Sequence, residues 1–457
     1  MGFSRIALAL ACLLAGAAPQ EAAKPNFVLV LIDDLGWADL GCQGSAFFET
    51  PNLDRLAAGG MRFTNGYAAC PVCSPTRASL MTGKYPPRVG ITDWIPGRRD
   101  MPSQKLLRPS MKNQLALEER TLAEALKEKG YATAHVGKWH LGGEGFHPDR
   151  HGFDVNIAGT HQGSPPGGYF AFKTPSFSIK EGEYLDDRLT DEAVRWIRAN
   201  KDRPFFLYLA HYTVHIPIQP RKDLLAKFEA KEKKGGPREN AHYAAMVASM
   251  DESVGRVVRA LEDLGLDRRT VVVFTSDNGG LSVKEGPHTP ATSNVPLRAG
   301  KGHLYEGGIR VPWIVSWPGT VKPGVSRAPV VSPDLFATFL ELAGAEKGSV
   351  DGVSLLPLLK GGEADPARAL FWHYPHYSNQ GGRPGGVVRR GDWKLIEHYE
   401  DGRKEIFNLG DDPGETADLA AANPDVVRDL HAKLVEWRSA VGAKMPTPNP
   451  DWKGDRK

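Results

Sequence analysis

Cysteine is scarce in this chain, with four in 457 residues. A disulfide-stapled mini-protein carries many more for its length, so the fold has to rest on an apolar core. Long apolar runs are few as well. Beyond residues 6–14, nothing approaches the roughly twenty apolar residues of a membrane-spanning helix. An excess of one charge is also missing: 57 lysines and arginines face 54 aspartates and glutamates, a net of +3. No basic run is interleaved with aromatic residues, so nucleic acid is not an expected partner.

The N-terminus does carry a signal. Arg5, the apolar residues 6–14 and the small residues Ala15-Gly16-Ala17-Ala18 read as a secretory signal peptide over 1–18. Cys12 follows Ala9-Leu10-Ala11, which lacks the leucine of a lipoprotein box, so lipid anchoring is not expected. The chain is therefore expected to be exported, to the periplasm or outside the cell, without a transmembrane segment. About 440 residues remain, enough for one large domain and one small one.

Residues 24–32 end in a continuous apolar run, Phe27 to Ile32, of the kind that fills a central parallel strand covered on both faces. Similar runs at 131–136, 204–210 and 271–276 alternate with helical patterns. These are a helix capped at Thr50, a capping box Thr121-Leu122-Ala123-Glu124, a helix from Thr190 to Asn200, a long helix over 241–264 and another over 332–343. The charged stretch 227–238 reads as a solvated excursion. From about residue 367 short strands follow at 387–390, 393–399 and 404–409, then a helix over 425–437. The expected fold class is α/β: a large domain (24–365) around a mixed, mostly parallel sheet with helices on both faces. A small C-terminal antiparallel sheet with a helix (366–445) and a loose tail (446–457) complete it.

The strand ends carry the chemistry. Asp33 and Asp34 close the first strand, and Asp277 and Asn278 close the strand at 271–276, at the carboxyl ends where open α/β sheets hold ligands. These hard oxygen donors suit calcium, with magnesium as second choice; a polar turn is the plainer reading of Asp-Asp before Leu-Gly. Lys138 and His140 are two apart after the strand at 131–136, so on an extended chain both point at one anion. Cys73 sits at the start of a short helix that Pro75 favours and Gly83 stops, where unpaired N–H groups favour an anion, and Arg77 follows one turn on. A buried cysteine beside a helix, or a Cys70/Cys73 redox pair, are the alternatives. His147, His151 and His161 match no zinc spacing and read as loop or rim residues. The loop at 91–100, with Asp93, Trp94 and Arg98, offers an apolar face and charged donors suited to a sugar, though a plain surface loop reads equally well.

Cys73, Pro75, Arg77, Thr82 and Gly83 fit the pattern C-x-P-x-R-x-x-x-x-T-G, which resembles the signature of the type I sulfatases. Gly137-Lys138-Trp139-His140 and the segment 296–312 resemble further family motifs, in the family's order. The resemblance implies an alkaline-phosphatase-like fold and hydrolysis of sulfate esters. It implies a formylglycine made from Cys73 by a separate maturation enzyme, and a calcium site of Asp33, Asp34, Asp277, Asn278 and residue 73. Arg77, Lys138 and Lys301 are the implied sulfate holders, His140 the base on residue 73, and His215, in its His-x-Pro context, the leaving-group acid. The segments 92–97 and 287–294 look like those of secreted carbohydrate sulfatases acting on galactose or N-acetylgalactosamine sulfates, which makes Asp93, Trp94, Arg98, His288 and Arg298 candidate sugar contacts. The alternatives are an arylsulfatase, a phosphate- or phosphonate-ester hydrolase on the same scaffold, and a non-catalytic glycan-binding protein with unmodified Cys73.

Overall fold

From Phe27 to Ile32 the chain has no polar position, so a strand formed there must be covered on both faces. In the computed structural model, which describes residues 24–232 and 240–454, it is the strand Asn26–Ile32, buried throughout. Its neighbours are the parallel strands Phe205–Ala210 and Thr270–Ser276. The full sheet has eight strands. In spatial order these are Gly324–Ser326, Met61–Phe63, Trp313–Ser316, Thr270–Ser276, Asn26–Ile32, Phe205–Ala210, Ala132–Gly137 and Val155–Ile157. Only Trp313–Ser316 runs against its neighbours. The expected mixed, mostly parallel sheet is therefore the observed one.

Side-chain alternation splits the interior into two layers. Val28, Val30 and Ile32 join Leu207, Leu209 and Phe274 under the long helix Ala241–Asp263 and the helix Leu185–Ala199. Phe27, Leu29 and Leu31 join Phe206, Tyr208 and Val273 on the other face, against the helices Cys73–Thr82, Leu122–Lys127 and Pro333–Leu342.

Helix starts show where local signals sufficed. The capping box forms as read: Glu124 N–H donates to Thr121 Oγ1 at 3.2 Å and Thr121 N–H to Glu124 Oε2 at 2.7 Å. Thr50 does not cap the helix Pro51–Ala58; its first N–H groups instead reach the Asp251 carboxylate, Asn52 at 3.1 Å and Leu53 at 2.8 Å. The helix expected from Thr190 begins at Leu185, and Thr190 is interior, its hydroxyl donating back to the Asp186 carbonyl at 2.6 Å. Part of the charged excursion is helical: Lys222–Glu232 buries Phe228. The rest of it, 233–238, lies outside the described residues, as does the stretch 1–18 expected to be a signal peptide.

The small sheet is an antiparallel meander of Ala369–Tyr374, Gly385–Arg390, Trp393–His398 and Lys404–Asn408. The helix Pro424–Ala440 covers one face through Leu430 and Leu434, and the other face packs Trp372, Tyr374 and Ile396 on Tyr67, Val72 and Ile309 of the large domain. The tail expected to be loose is tied down: Thr447–Pro448 pairs with Leu106–Leu107, and the Asn449 amide donates to the Gln104 carbonyl at 2.8 Å. No helix among the described residues is long and apolar enough to cross a membrane.

Candidate active site

Adjacent parallel strands end together, so the residues just past them share one floor. Asp33 and Asp34 follow Ile32, Lys138 follows Gly137, and Asp277 and Asn278 follow Ser276. The turn after Ala210 separates its two histidines. His211 is sealed in the core beside Asp186 and Ser253, whereas His215 Nε2 lies 3.7 Å from Asp34 Oδ2 at the pocket. The helix Cys73–Thr82 aims its N-terminus at this floor. Val72 provides no side-chain cap, and the helix is buried along its whole length. Gly83 ends it at φ +69°, a conformation that suits glycine.

Three cations and three carboxylates interleave there. Arg77 Nη2 lies 2.8 Å from Asp277 Oδ2 and its Nε donates to the same oxygen at 2.9 Å. Lys138 Nζ is 2.6 Å from Asp33 Oδ2, and Lys301 Nζ is 2.7 Å from Asp34 Oδ2. Formal charges cancel, which is how so many ions persist out of water. Burial and the neighbouring Asp277 push the Asp33 carboxyl up, against the pull of Lys138 and Arg77. Asp34 pays the same desolvation, yet Lys301 and His215 bring it down to about 2.

Two oxygens on this floor accept no hydrogen bond, although Asp33 Oδ1 lies 3.9 Å from Arg77 Nη2. Asp33 Oδ1 and Asn278 Oδ1 are buried without a hydrogen bond, while Asn278 Nδ2 donates to Asp34 Oδ1 at 2.7 Å. An orphaned buried acceptor is costly unless a donor or cation meets it. Ligand atoms of Asp33, Asp34 and His215 lie within 4.8 Å of one another. A set dominated by carboxylate and amide oxygen fits a hard divalent cation. His215 was not in the ligand set read from the sequence; the fold brings it beside Asp34.

Cys73 faces a defined lone pair. Its Sγ is 3.3 Å from His140 Nδ1, and His140 Nε2 is 2.8 Å from the Ile95 carbonyl. A carbonyl only accepts, so Nε2 carries the proton and Nδ1 of the neutral ring is a base toward residue 73. Burial, then Lys138, holds His140 well below the usual histidine range. Burial also pushes the Cys73 thiol up, against Lys138 and Lys301, so the unmodified side chain is not an activated thiolate. Cys42, Cys70 and Cys73 are all free, with no disulfide between Cys70 and Cys73.

Above the floor opens a pocket of about 540 Å³. Of the five candidate sugar contacts, Trp94 lines it. Asp93 is buried behind the loop, accepting from the Trp94 N–H at 2.9 Å and the Tyr374 hydroxyl at 3.0 Å. Arg98 donates to the Ser378 carbonyl at 2.7 Å. His288 stacks on His242 with centroids 3.7 Å apart, and Arg298 lies 3.8 Å over the Tyr305 ring. These four are engaged elsewhere and do not line the pocket. Gln162, Ser164, Glu285, Asn379 and Gln380 do line it and were not singled out from the sequence; His161 does as well, in the segment read as rim. Gly163 lets that rim approach: a Cβ there would stand 2.5 Å from His140 Cε1. Asn379 and Gln380 come from the small sheet's first connection, where nothing local marks a pocket residue.

The chain matches the family model described as Sulfatase over residues 25–345, and the model described as N-sulphoglucosamine sulphohydrolase, C-terminal, over residues 299–440. It is 34% identical to arylsulfatase A of Homo sapiens over 94% of this chain and 90% of that one. It is 38% identical to N-acetylgalactosamine-6-sulfatase of Mus musculus over 79% of this chain and 70% of that one. Among solved structures, Ps i-CgsB in complex with k-i-k-neocarrahexaose superposes with a TM-score of 0.78 at 30% identity, over 94% of each chain.

Proposed function

The chain belongs to the sulfatase family and is a sulfuric ester hydrolase, and from that premise we propose that it removes sulfate from a terminal galactose-type sugar, with a formylglycine at residue 73. The observation that carries this reading is the Cys73 side chain, buried at a helix N-terminus, 3.3 Å from the basic nitrogen of His140 and set among Arg77, Lys138 and Lys301. Relatives named as N-acetylgalactosamine-6-sulfatases and a neighbour solved in complex with k-i-k-neocarrahexaose support the sugar class.

In this reading an exported chain meets a maturation enzyme that oxidises Cys73 to the aldehyde, and Sγ marks where the hydrate's oxygens project. One hydroxyl attacks sulfur and passes its proton to the neighbouring Asp277 carboxylate, while Lys301, on the pocket, holds the sulfate oxygens and Arg77 and Lys138, sealed behind it, balance their charge. The sugar alkoxide is a poor leaving group, so His215 delivers a proton to it. The Nδ1–H of His215 donates to the Ile216 carbonyl at 2.7 Å, which turns Nε2 to the pocket. Burial, then Lys301, holds His215 at about 3 in the free protein. An anionic ester lying on Lys301 offsets that positive charge and raises the ring's hold on a proton. His140 then takes the proton of the remaining hydroxyl, the C=O bond reforms, and the C–O bond to the sulfate group breaks to release sulfate.

Asp33, Asp34, Asp277 and Asn278, with an oxygen of converted residue 73, would hold a calcium ion, with magnesium as second choice. Such an ion supplies Lewis-acid stabilisation of charge on sulfate oxygen. The test is a panel of galactose and N-acetylgalactosamine monosulfates with regioisomers at the 2, 3, 4 and 6 oxygens, run on protein whose residue 73 aldehyde is verified by peptide mass. Turnover of aryl sulfates with none of any sugar sulfate would overturn the sugar reading while leaving the mechanism.

A further inference from the structure

The pocket's charge is stratified. Its lysines and arginine lie on the floor, already paired with carboxylates, and Lys301 at 7% exposure is the most accessible of them, while Arg77 and Lys138 have none. Above that level, Glu285 is the one carboxylate among the described residues lining the pocket, no lysine or arginine lines it there, and His161 is the one titratable base. It stands on the loop after the strand Thr270–Ser276, with its N–H donating to Thr289 Oγ1 at 2.8 Å.

Glu285 is matched across the mouth by a residue of the other domain. Gln380 Nε2 donates to Glu285 Oε1 at 2.7 Å. The Gln380 amide is oriented by Ser378, whose hydroxyl donates to Gln380 Oε1 at 2.7 Å, and the Gln380 carbonyl lies 3.0 Å from His303 Nε2. Gln380 is thus fixed on both sides, and it fixes one oxygen of Glu285. The second oxygen, Oε2, takes no hydrogen bond among the described residues and can accept from a hydroxyl.

Resting on the sugar reading above, we propose that the Glu285–Gln380 pair sets substrate choice: it accepts the hydroxyls of a sugar ring carrying one sulfate and turns away a second anionic group, sulfate or carboxylate, on that ring. A hydroxyl donor satisfies Oε2. A second sulfate meets a fixed carboxylate with no lysine or arginine on the described wall to offset it, and specificity of this kind comes from the repulsive contact as much as the attractive one. The pair bridges two domains, so recognition and domain docking share one contact.

The experiment compares N-acetylgalactosamine 4-sulfate and 6-sulfate with the 4,6-disulfate, using protein with a verified aldehyde at residue 73. The wild type is expected to favour the accepted monosulfate over the disulfate by about tenfold or more in kcat/KM, mostly through KM. Glu285→Gln should shrink that ratio about tenfold, and Gln380→Ala, which frees the carboxylate without removing its charge, should preserve discrimination while raising KM for both. Thermal shifts of a Cys73→Ala protein with each sugar give the same ordering without turnover. Equal kcat/KM for mono- and disulfate, or a ratio unmoved by Glu285→Gln, would overturn this inference alone. Absence of turnover on every sugar sulfate, with aryl sulfate turnover retained, would instead be a failure of the sugar reading.

Discussion

Lys394 Nζ lies 2.9 Å from Glu306 Oε1, with both side chains fully buried, and this pair joins the small sheet to the segment that carries Lys301. Glu415 Oε1 is 2.8 Å from the same ammonium, and the Tyr67 hydroxyl donates to Glu306 Oε2 at 2.7 Å. Burial works against ionisation of Glu306, but Lys394 and Arg310 hold its carboxyl below the usual range. Removing the lysine takes away the ammonium that the two carboxylates share and leaves Arg310, 3.6 Å from Glu306 Oε2, on one side of the pair. Lys394→Met is expected to cost about 3–5 kcal/mol in urea unfolding, with partial recovery when Glu306→Gln and Glu415→Gln are added.

Residue 73 gives the most direct chemical test. Active protein should carry an aldehyde there that reacts with hydrazide, and Cys73→Ala should abolish turnover while leaving the unfolding midpoint close to that of the parent. A fully active preparation with an intact thiol at 73 would refute the mechanism.

The floor of oxygens predicts a metal content. Elemental analysis should find about one calcium, or magnesium in its place, per active chain. Asp277→Ala should lose both metal and activity, because it removes a ligand and also strips Arg77 of the carboxylate it forks onto at 2.8 Å. Stoichiometric zinc would contradict the oxygen-donor reading.

The strands and the floor were legible in the sequence because both are set locally. An apolar run with no polar position has to be a covered strand, and polar residues just after it have to lie at its carboxyl end. The helix at Leu185 was not legible: its first turn is Leu-Asp-Asp, and what engages Asp186 is Thr213 and His211, two dozen or more positions away in sequence. The same limit applied to the pocket wall. His288 and Arg298 have the right chemistry for a sugar, yet each found a ring to stack on, and that competition is decided by the tertiary fold. Gln380 lines the pocket only because the small sheet docks where it does.

Buried neutral histidines predict the acid side of the stability curve. Burial holds His151 at about 4, and His135 and His376 at about 3. Below the ordinary value of 6.5 the unfolded chain takes up protons that the folded chain refuses, so stability falls as pH drops from about 6.5 toward 4, by up to about 1.4 kcal/mol per pH unit per histidine. His151 is the cleanest probe, since both its ring nitrogens are buried without partners. His151→Phe should gain about 2 kcal/mol relative to the parent on going from pH 7 to pH 5, read from urea unfolding at the two pH values. An unchanged difference would mean that the ring is protonated in the fold.

The role of His215 is testable through the leaving group. A sugar alkoxide needs a proton as the bond to sulfur breaks, whereas a nitrophenolate departs readily without one. His215→Ala should therefore lower kcat on a sugar sulfate by about 10²–10⁴, and on p-nitrophenyl sulfate by at least about tenfold less. His140→Ala acts on the hydrate at residue 73, a step common to both substrates, and should slow the two alike. The contrast between the variants separates the roles: His140 Nδ1 faces Cys73 Sγ at 3.3 Å, while His215 Nε2 stands 3.7 Å from Asp34 Oδ2. Equal losses on both substrates for His215→Ala would show that this ring binds or positions sulfate and delivers no proton to the departing oxygen.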